Sequence, residues 1–417
     1  MQCDLLNTAV WWRDSGVKLS ARVQTVQSAP GVIKQKNSSV LPYVLGLVDG
    51  QQLHVVVKVV DLCSNSYRDQ EHRDRSRQSY EIETSFLHKY SNKLQQVQAK
   101  VPDLLFEQWQ PDGNGVVIVM EDLRAGAGLQ AASTRLTSQA LGLDSAQAVS
   151  ALKWLSRMHA ACWGCSPTGI WPQGSYWSLE KRQSDLAGMP MQWAQTCSAF
   201  AIDFPETFAK ASVQALAKRL LAVATAVHQE LSLDSADSSL AQWRTIIHGD
   251  FKTANLFFSP TAEAGSVSPH QHDGKDAVVS ACDFQWCGGG LGVTDVMYLL
   301  WTSVQPQVVF VQEEELLRCY YSSLMHQLQE QHHIDGSIYS FQQFGHHYQM
   351  AYLDYIRFLI GAMWGTVTPS TCNALAEDIN QGMHKRSVKH LVCMVEKADM
   401  VLSQLEGHMR NQNDTIA

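Results

Sequence analysis

The sequence predicts an α+β chain with a small β-rich first part and a larger helical remainder. Three observations carry this prediction. Apolar and β-branched residues alternate in short runs, separated by turn signals, up to about residue 120. From Asp144 onward, apolar residues recur at three- and four-residue spacing. Within the helical part, two strand-like runs, Trp243 to Ile247 and Leu256 to Phe258, flank a short polar loop.

The elements follow in order. Residues 1–20 form a leading segment with Trp11-Trp12 as an apolar anchor. Arg22 to Gln27 alternates as a first strand, and Pro30-Gly31 reads as a turn. Lys36 to Ser39 is a small polar turn before the apolar run Val40 to Leu47. Asp49-Gly50 signals a hairpin to the next strand, Leu53 to Val60. Lys58 sits inside that strand, where burial costs several kcal/mol unless the charge is paired. Either the strand is an edge with Lys58 in water, or Lys58 has a partner. Asp69 to Arg77 reads as a solvated loop or first helical turn. A helix follows over Tyr80 to Tyr90, with Ile82, Phe86 and Tyr90 on its buried face. Glu83 adjoins that face, and Glu81 is the other candidate partner for Lys58.

Two strands, Pro102 to Gln108 and Val116 to Met120, surround the turn Asp112 to Gly115. The first part ends near residue 124, and 125–139 reads as linker. Leu152, Leu155 and His159 share a helix face. Residues 171–203 read as irregular, with Trp171, Trp177 and Trp193 either core or the wall of a substrate site. Phe208 to Leu231 reads as one helix, and 234–239 as a loop. Residues 259–276 lack an apolar period and read as a flexible hairpin insertion whose flanking strands still pair. Asp295 to Val304 starts a helix that Asp295 caps and ties to the polar loop. Helices over 312–331, 340–364 and 383–405 precede a polar tail at 411–417.

Composition narrows the function classes. The net charge is −8 with no long basic block, so nucleic acid is not an expected partner. No apolar run reaches about 18 residues, so no membrane span is expected. Met1-Gln2-Cys3-Asp4 begins no secretory signal. The ten cysteines are scattered, as suits reduced thiols in a cytoplasmic protein. Cys162 and Cys165 form a C-x-x-C, read as structural rather than redox-active. The adjacent pairs His332-His333 and His346-His347 read as solvated surface rather than metal ligands. Oligomeric state leaves no signal in the sequence.

The chemistry concentrates in two blocks. His248-Gly249-Asp250-Phe251-Lys252-Thr253-Ala254-Asn255 occupies the loop between the two strand-like runs. A carboxylate and an amide five positions apart suit phosphoryl transfer: Asp250 accepts a proton from a hydroxyl, and Asn255 offers an oxygen to a cation. The second block is Val278 to Gln285, a strand ending at Asp283, where a carboxylate suits Mg²⁺.

Together, HGDFKTAN and CDFQ resemble the aminoglycoside phosphotransferase and choline kinase superfamily, closest to its ecdysteroid-kinase-like (CHK kinase-like) group. Two more stretches are similar to that group: Trp286 to Tyr298 after the Asp-Phe-Gln, and Leu155 to Gly164 with its Leu-x-x-x-His-Ala-x-x-Trp-Gly pattern. The likeness spans about residues 20–400. It implies a two-lobed protein-kinase-like fold, with a nucleotide-binding N-lobe over 21–124 and a helical C-lobe over 125–410. The implied activity is transfer of the γ-phosphoryl group of ATP, with Mg²⁺, to a hydroxyl of a sterol-like, amino-alcohol or related small molecule.

By the same resemblance, Lys58 held by Glu83 positions phosphates, and backbone N–H groups at Ser38 and Ser39 meet them. Met120, Glu121 and Leu123 form the hinge that contacts adenine through backbone. Asn255 and Asp283 hold Mg²⁺. Lys252 neutralises charge near the γ-phosphate, and His159 is structural. Two rivals are a protein kinase and an inactive kinase-like binding protein. Against the first, the sequence has no G-x-G-x-x-G, no Ala-Pro-Glu after Asp283, and His-Gly-Asp in place of His-Arg-Asp. Against the second, Lys58, Asp250, Asn255 and Asp283 are all of the required type.

Overall fold

In the computed structural model of the chain, the described residues are 23–34, 37–63, 70–124, 130–131, 142–232, 239–258, 277–378 and 380–416. The leading segment, the linker apart from 130–131, the 259–276 insertion and residues 234–238 of the loop lie outside them. The strands are β1 (Val23–Ser28), β2 (Ile33–Lys34), β3 (Ser38–Leu47), β4 (Gln52–Asp61), β5 (Leu104–Trp109), β6 (Gly115–Glu121), β7 (Gln130–Ala131), β8 (Arg244–Ile247), β9 (Leu256–Phe258), β10 (Val279–Ala281) and β11 (Gly288–Leu291). The chain divides into two compact units, residues 1–131 with 257–285, and 132–256 with 286–417.

The first unit is built on an antiparallel sheet in the order β1-β3-β4-β6-β5, with β2 beside β3. Its alternating residues Leu45, Val55, Val57 and Val119 are fully buried. The β3–β4 hairpin turns at Asp49, whose carboxylate accepts the Gln51 N–H at 3.0 Å. β4 is a central strand, with Lys58 opposite Val40 on β3 and Ile118 on β6, so the edge-strand reading of Lys58 does not hold.

Helix α1 (Gln70–Gln96) buries Ile82, Glu83, Phe86, Tyr90 and Leu94 on one face. The charged run expected to be loop or first turn forms its opening turns, where Arg75–Glu71 and Arg77–Glu81 pair at helical spacing. A second, three-stranded sheet runs β10-β9-β7, so the strands flanking the insertion do pair. The segment 257–285, placed with the helical part by the sequence reading, groups with this unit.

The second unit is helical around the β8–β11 ribbon, in which Ile247 faces Gly288. A side chain at 288 would lie 2.3 Å from the Trp171 carbonyl oxygen, so glycine is what lets these backbones meet. The long helices are α2 (Ser145–Ala161), α3 (Met189–Phe200), α4 (Leu216–Gln229), α5 (Val293–Ser303), α6 (Pro306–His332), α7 (Phe341–Phe358) and α8 (Val388–Ile416). Asp144 and Gln147 close a capping box at the start of α2.

Several local expectations differ. The helix expected over 208–231 is broken into Pro205–Phe208, Ala211–Gln214 and α4, while the supposedly irregular 171–203 contains α3. Trp177 and Trp193 are each 1% exposed and belong to the core. α8 continues to Ile416, through residues whose polarity suggested a tail. Nor is His347 surface: it is buried, bonded to the Tyr339 hydroxyl at 2.8 Å. Among the described residues, no helix is long and apolar enough to cross a membrane.

Candidate active site

In the first unit, β4, α1 and the end of β10 bring together Lys58, Glu83 and Asp283. Lys58 Nζ lies 2.8 Å from Glu83 Oε2 and 3.7 Å from Asp283 Oδ1, and it sits 5.2 Å over the Tyr80 ring. Lys58 is 4% and Glu83 1% exposed. Burial pulls the lysine pKa down, but Glu83, Asp283 and Tyr80 outweigh it and hold the pKa above its ordinary value. The cation is therefore fixed.

The chain around Asp283 is anchored on both sides. Phe284 stacks on Phe86 of α1 at 4.2 Å, and Gln285 bonds Glu83 and the Ser79 hydroxyl. Asp283 itself has φ +68°, a left-handed conformation unusual for this residue type. Its Oδ1 is buried and accepts no hydrogen bond, since Lys58 is beyond hydrogen-bond reach. A bare, buried carboxylate oxygen of this kind fits a hard cation such as Mg²⁺.

The remaining nucleotide-side candidates are placed differently. Ser38 and Ser39 lie in β3 rather than in a turn: Ser38 faces Val60, and Ser39 faces both Val59 and Lys34. Ser38 also bonds the Tyr80 hydroxyl. Met120 and Leu123 are buried at the end of β6. Glu121 pairs with Lys100 at 2.6 Å, and its N–H already donates to the Asp103 carbonyl at 2.9 Å.

In the second unit, the loop after β8 gathers Asp250, Lys252 and Asn255. Gly249 makes the turn possible. It has φ +79°, and a side chain there would come within 2.1 Å of the Trp286 carbonyl oxygen. The loop hangs from Asp295, which accepts the His248 N–H at 2.6 Å and the Gly249 N–H at 2.9 Å. His159 Nε2 donates to the same carboxylate at 3.2 Å, and its Nδ1 accepts from Tyr320 at 2.7 Å. Asp295 thus ties the loop as expected, but it does not cap its helix, whose N-cap is Gly292.

Asp250 is 6% exposed and held at both oxygens. The Tyr298 hydroxyl donates to Oδ1 at 2.8 Å, while Lys252 Nζ lies 2.9 Å from Oδ2. Asn255 donates from Nδ2 to the Asp250 carbonyl at 2.8 Å and to Oδ2 at 3.2 Å. Both bonds use the amide nitrogen, which leaves Asn255 Oδ1 as the atom a cation would take.

Tyr298 in turn pairs with the Tyr176 hydroxyl at 3.0 Å and stacks on Trp177 at 4.4 Å. Burial pushes the Tyr176 phenol up to about 12 and Tyr298 well above its usual value, so both stay protonated near neutrality. A cavity of about 150 Å³ opens beside this loop, its wall including Tyr176, Lys252, Tyr298, His384, Lys385 and Arg386.

Sequence reading missed Tyr298. The signal was present, because Tyr298 stands three residues after Asp295 and so shares its helix face. Nothing in the sequence marked Lys385 and Arg386, which read as ordinary helix residues. Cys162 and Cys165 follow a helix C-terminus and form no disulfide among the described residues, an arrangement without the helix N-terminus that activates thiols in redox motifs.

The model of the ecdysteroid kinase-like family matches residues 48–333, more than half of the chain. Among solved structures, a microcompartment-associated aminopropanol kinase is similar at 14% identity, covering 94% of this chain and 95% of that one, with a TM-score of 0.40. A likeness that low transfers nothing beyond itself. No curated protein matches the chain.

Proposed function

We propose that this chain, which belongs to the ecdysteroid kinase-like family, transfers the γ-phosphoryl group of ATP to a hydroxyl of a small molecule. One observation carries the reading: Asp250, buried and oriented by Tyr298 and Lys252, is bonded to two residues that line a cavity of about 150 Å³. The acceptor hydroxyl gives its proton to Asp250 as its oxygen bonds to the γ-phosphorus. The bond to the bridging oxygen breaks, and ADP leaves.

Tyr298 fixes the rotamer of the carboxylate. Lys252, paired with Asp250 in the resting site, would offset charge developing on the transferred group. In the first unit, Lys58 would meet the nucleotide phosphates, with Glu83 holding it in place. Asp283 Oδ1 in the first unit and Asn255 Oδ1 in the second would each offer an oxygen to Mg²⁺, which would supply charge neutralisation to the phosphates when bound.

Residues 21–124 would bind the nucleotide, with adenine at Met120 to Leu123. Residues 125–410 would carry the acceptor. Among the described residues no cysteine forms a disulfide, which favours a cytoplasmic setting. The test is incubation with γ-labelled ATP, Mg²⁺ and a metabolite extract, beside a peptide library. Label is expected in a small molecule that gains the mass of one phosphate. Label entering peptides at a comparable rate, or entering neither, would reject the reading.

A further inference from the structure

The cavity beside the catalytic loop has an unbalanced charge. Three cations, Lys252, Lys385 and Arg386, line it, and among the described residues no carboxylate does. Lys252 is satisfied by Asp250. Arg386 is not. It is 5% exposed, donates through Nε to the Ala376 carbonyl at 3.2 Å, and keeps Nη2 buried with no hydrogen-bond partner. No ion pair to Arg386 or Lys385 occurs among the described residues.

The same unit shows how the fold treats a structural guanidinium. Arg357 is 2% exposed and has Asp354 at 2.8 Å. A buried cation without such a partner is costly. Burial depresses Lys385, and it depresses Arg386 despite the attraction of Asp378. His384, also in the wall, is held neutral by its burial and then by Lys385. It therefore adds no charge of its own.

We propose that Lys385 and Arg386 form an anion subsite in this cavity, and that the acceptor is an alcohol carrying a carboxylate, sulfate or phosphate. The proposal rests on Asp250 receiving the acceptor hydroxyl, because Tyr298 and Lys252 line the same space. A guanidinium fork and a lysine suit a planar or tetrahedral oxyanion. They repel an ammonium group, so this cavity would disfavour the amino alcohol that the family resemblance implied.

The test uses the full chain. Calorimetric titration with sodium sulfate, at ionic strength held constant with chloride, is expected to show one site in the wild type. Lys385→Gln is expected to weaken it about tenfold or more. Lys385 is only partly buried, so this variant carries the test even where Arg386→Gln fails to fold. Mg·ATP affinity is expected to be unchanged in Lys385→Gln. That result separates an anion on the acceptor from the phosphates of the nucleotide.

In the second arm, alcohols matched except for a carboxylate, a neutral group or an amine are offered with labelled ATP. The acid is expected to exceed the others by about tenfold or more in kcat/KM, and Lys385→Gln to remove the preference. Absence of sulfate binding, equal binding in the variant, a parallel loss of Mg·ATP affinity, or preference for the amine would each overturn the subsite. If no alcohol is labelled, the phosphotransferase reading fails, and the sulfate titrations still decide the subsite.

Discussion

Lys58→Met tests whether the buried charge cluster is structural, functional or both. Lys58 Nζ stands between Glu83 at 2.8 Å and Asp283 at 3.7 Å, with Lys58 and Glu83 nearly inaccessible to water. Removing one member of a buried ion pair costs about 3–5 kcal/mol, because the other charge is left uncompensated. Methionine fills a similar volume, so packing adds less than about 1.5 kcal/mol. A second change, Glu83→Leu, removes the orphaned carboxylate and is expected to recover most of the loss. Nucleotide binding is not recovered, since no cation returns.

Hydrogen exchange of peptides from β3 and β4 reads the stability of the sheet itself, apart from the helical unit. The pH dependence has a definite sign. The folded-state pKa of Lys58 is raised above 10.5, so its stabilisation is complete below that pH and is lost as pH rises through the higher folded value. Wild-type protection in Lys58→Met, or a double variant weaker than the single one, would refute the ion-pair account.

Other outcomes follow from the same geometry. Gly249→Ala is expected to lower the thermal midpoint and abolish turnover, because the loop must move away from the Trp286 carbonyl; wild-type melting would contradict that contact. Asp283→Ala and Asn255→Ala are expected to weaken Mg²⁺-dependent nucleotide binding, and unchanged titrations with and without Mg²⁺ in both would place the cation elsewhere. Deleting residues 261–274 is expected to leave folding and turnover near normal, since their composition cannot supply core; an insoluble product would contradict this.

The fold was largely legible where local pattern decides it. Strand alternation marked β3, β4 and β6, and four-residue spacing marked the buried face of α1. Lys58 was informative because a lone cation among valines demands a partner, and Glu83 adjoined the right face. The losses lie where tertiary contact overrides pattern. Composition could not show that 257–285 groups with the first unit, because the pairing of β9 with β7 and of Ser280 with Lys100 joins residues far apart in sequence and leaves no local trace. Ser38 and Ser39 looked like a turn, yet β2 and β4 pair with them on either side. Tyr298 was hidden by its apolar helix, although its spacing from Asp295 fixed its direction. Lys385 and Arg386 were invisible because only the folded chain shows that, among the described residues, they line a cavity with no carboxylate in its wall.

The most direct measurement is turnover of Asp250→Asn beside the wild type, with Mg·ATP affinity measured on both. The substitution conserves shape and leaves Tyr298 an acceptor, but it removes the group that takes the proton. Turnover is expected to fall by about 10²–10⁴ while nucleotide affinity stays within about twofold. Retention of a third or more of the wild-type rate would contradict the assignment of Asp250, and with it the proposed phosphotransferase site.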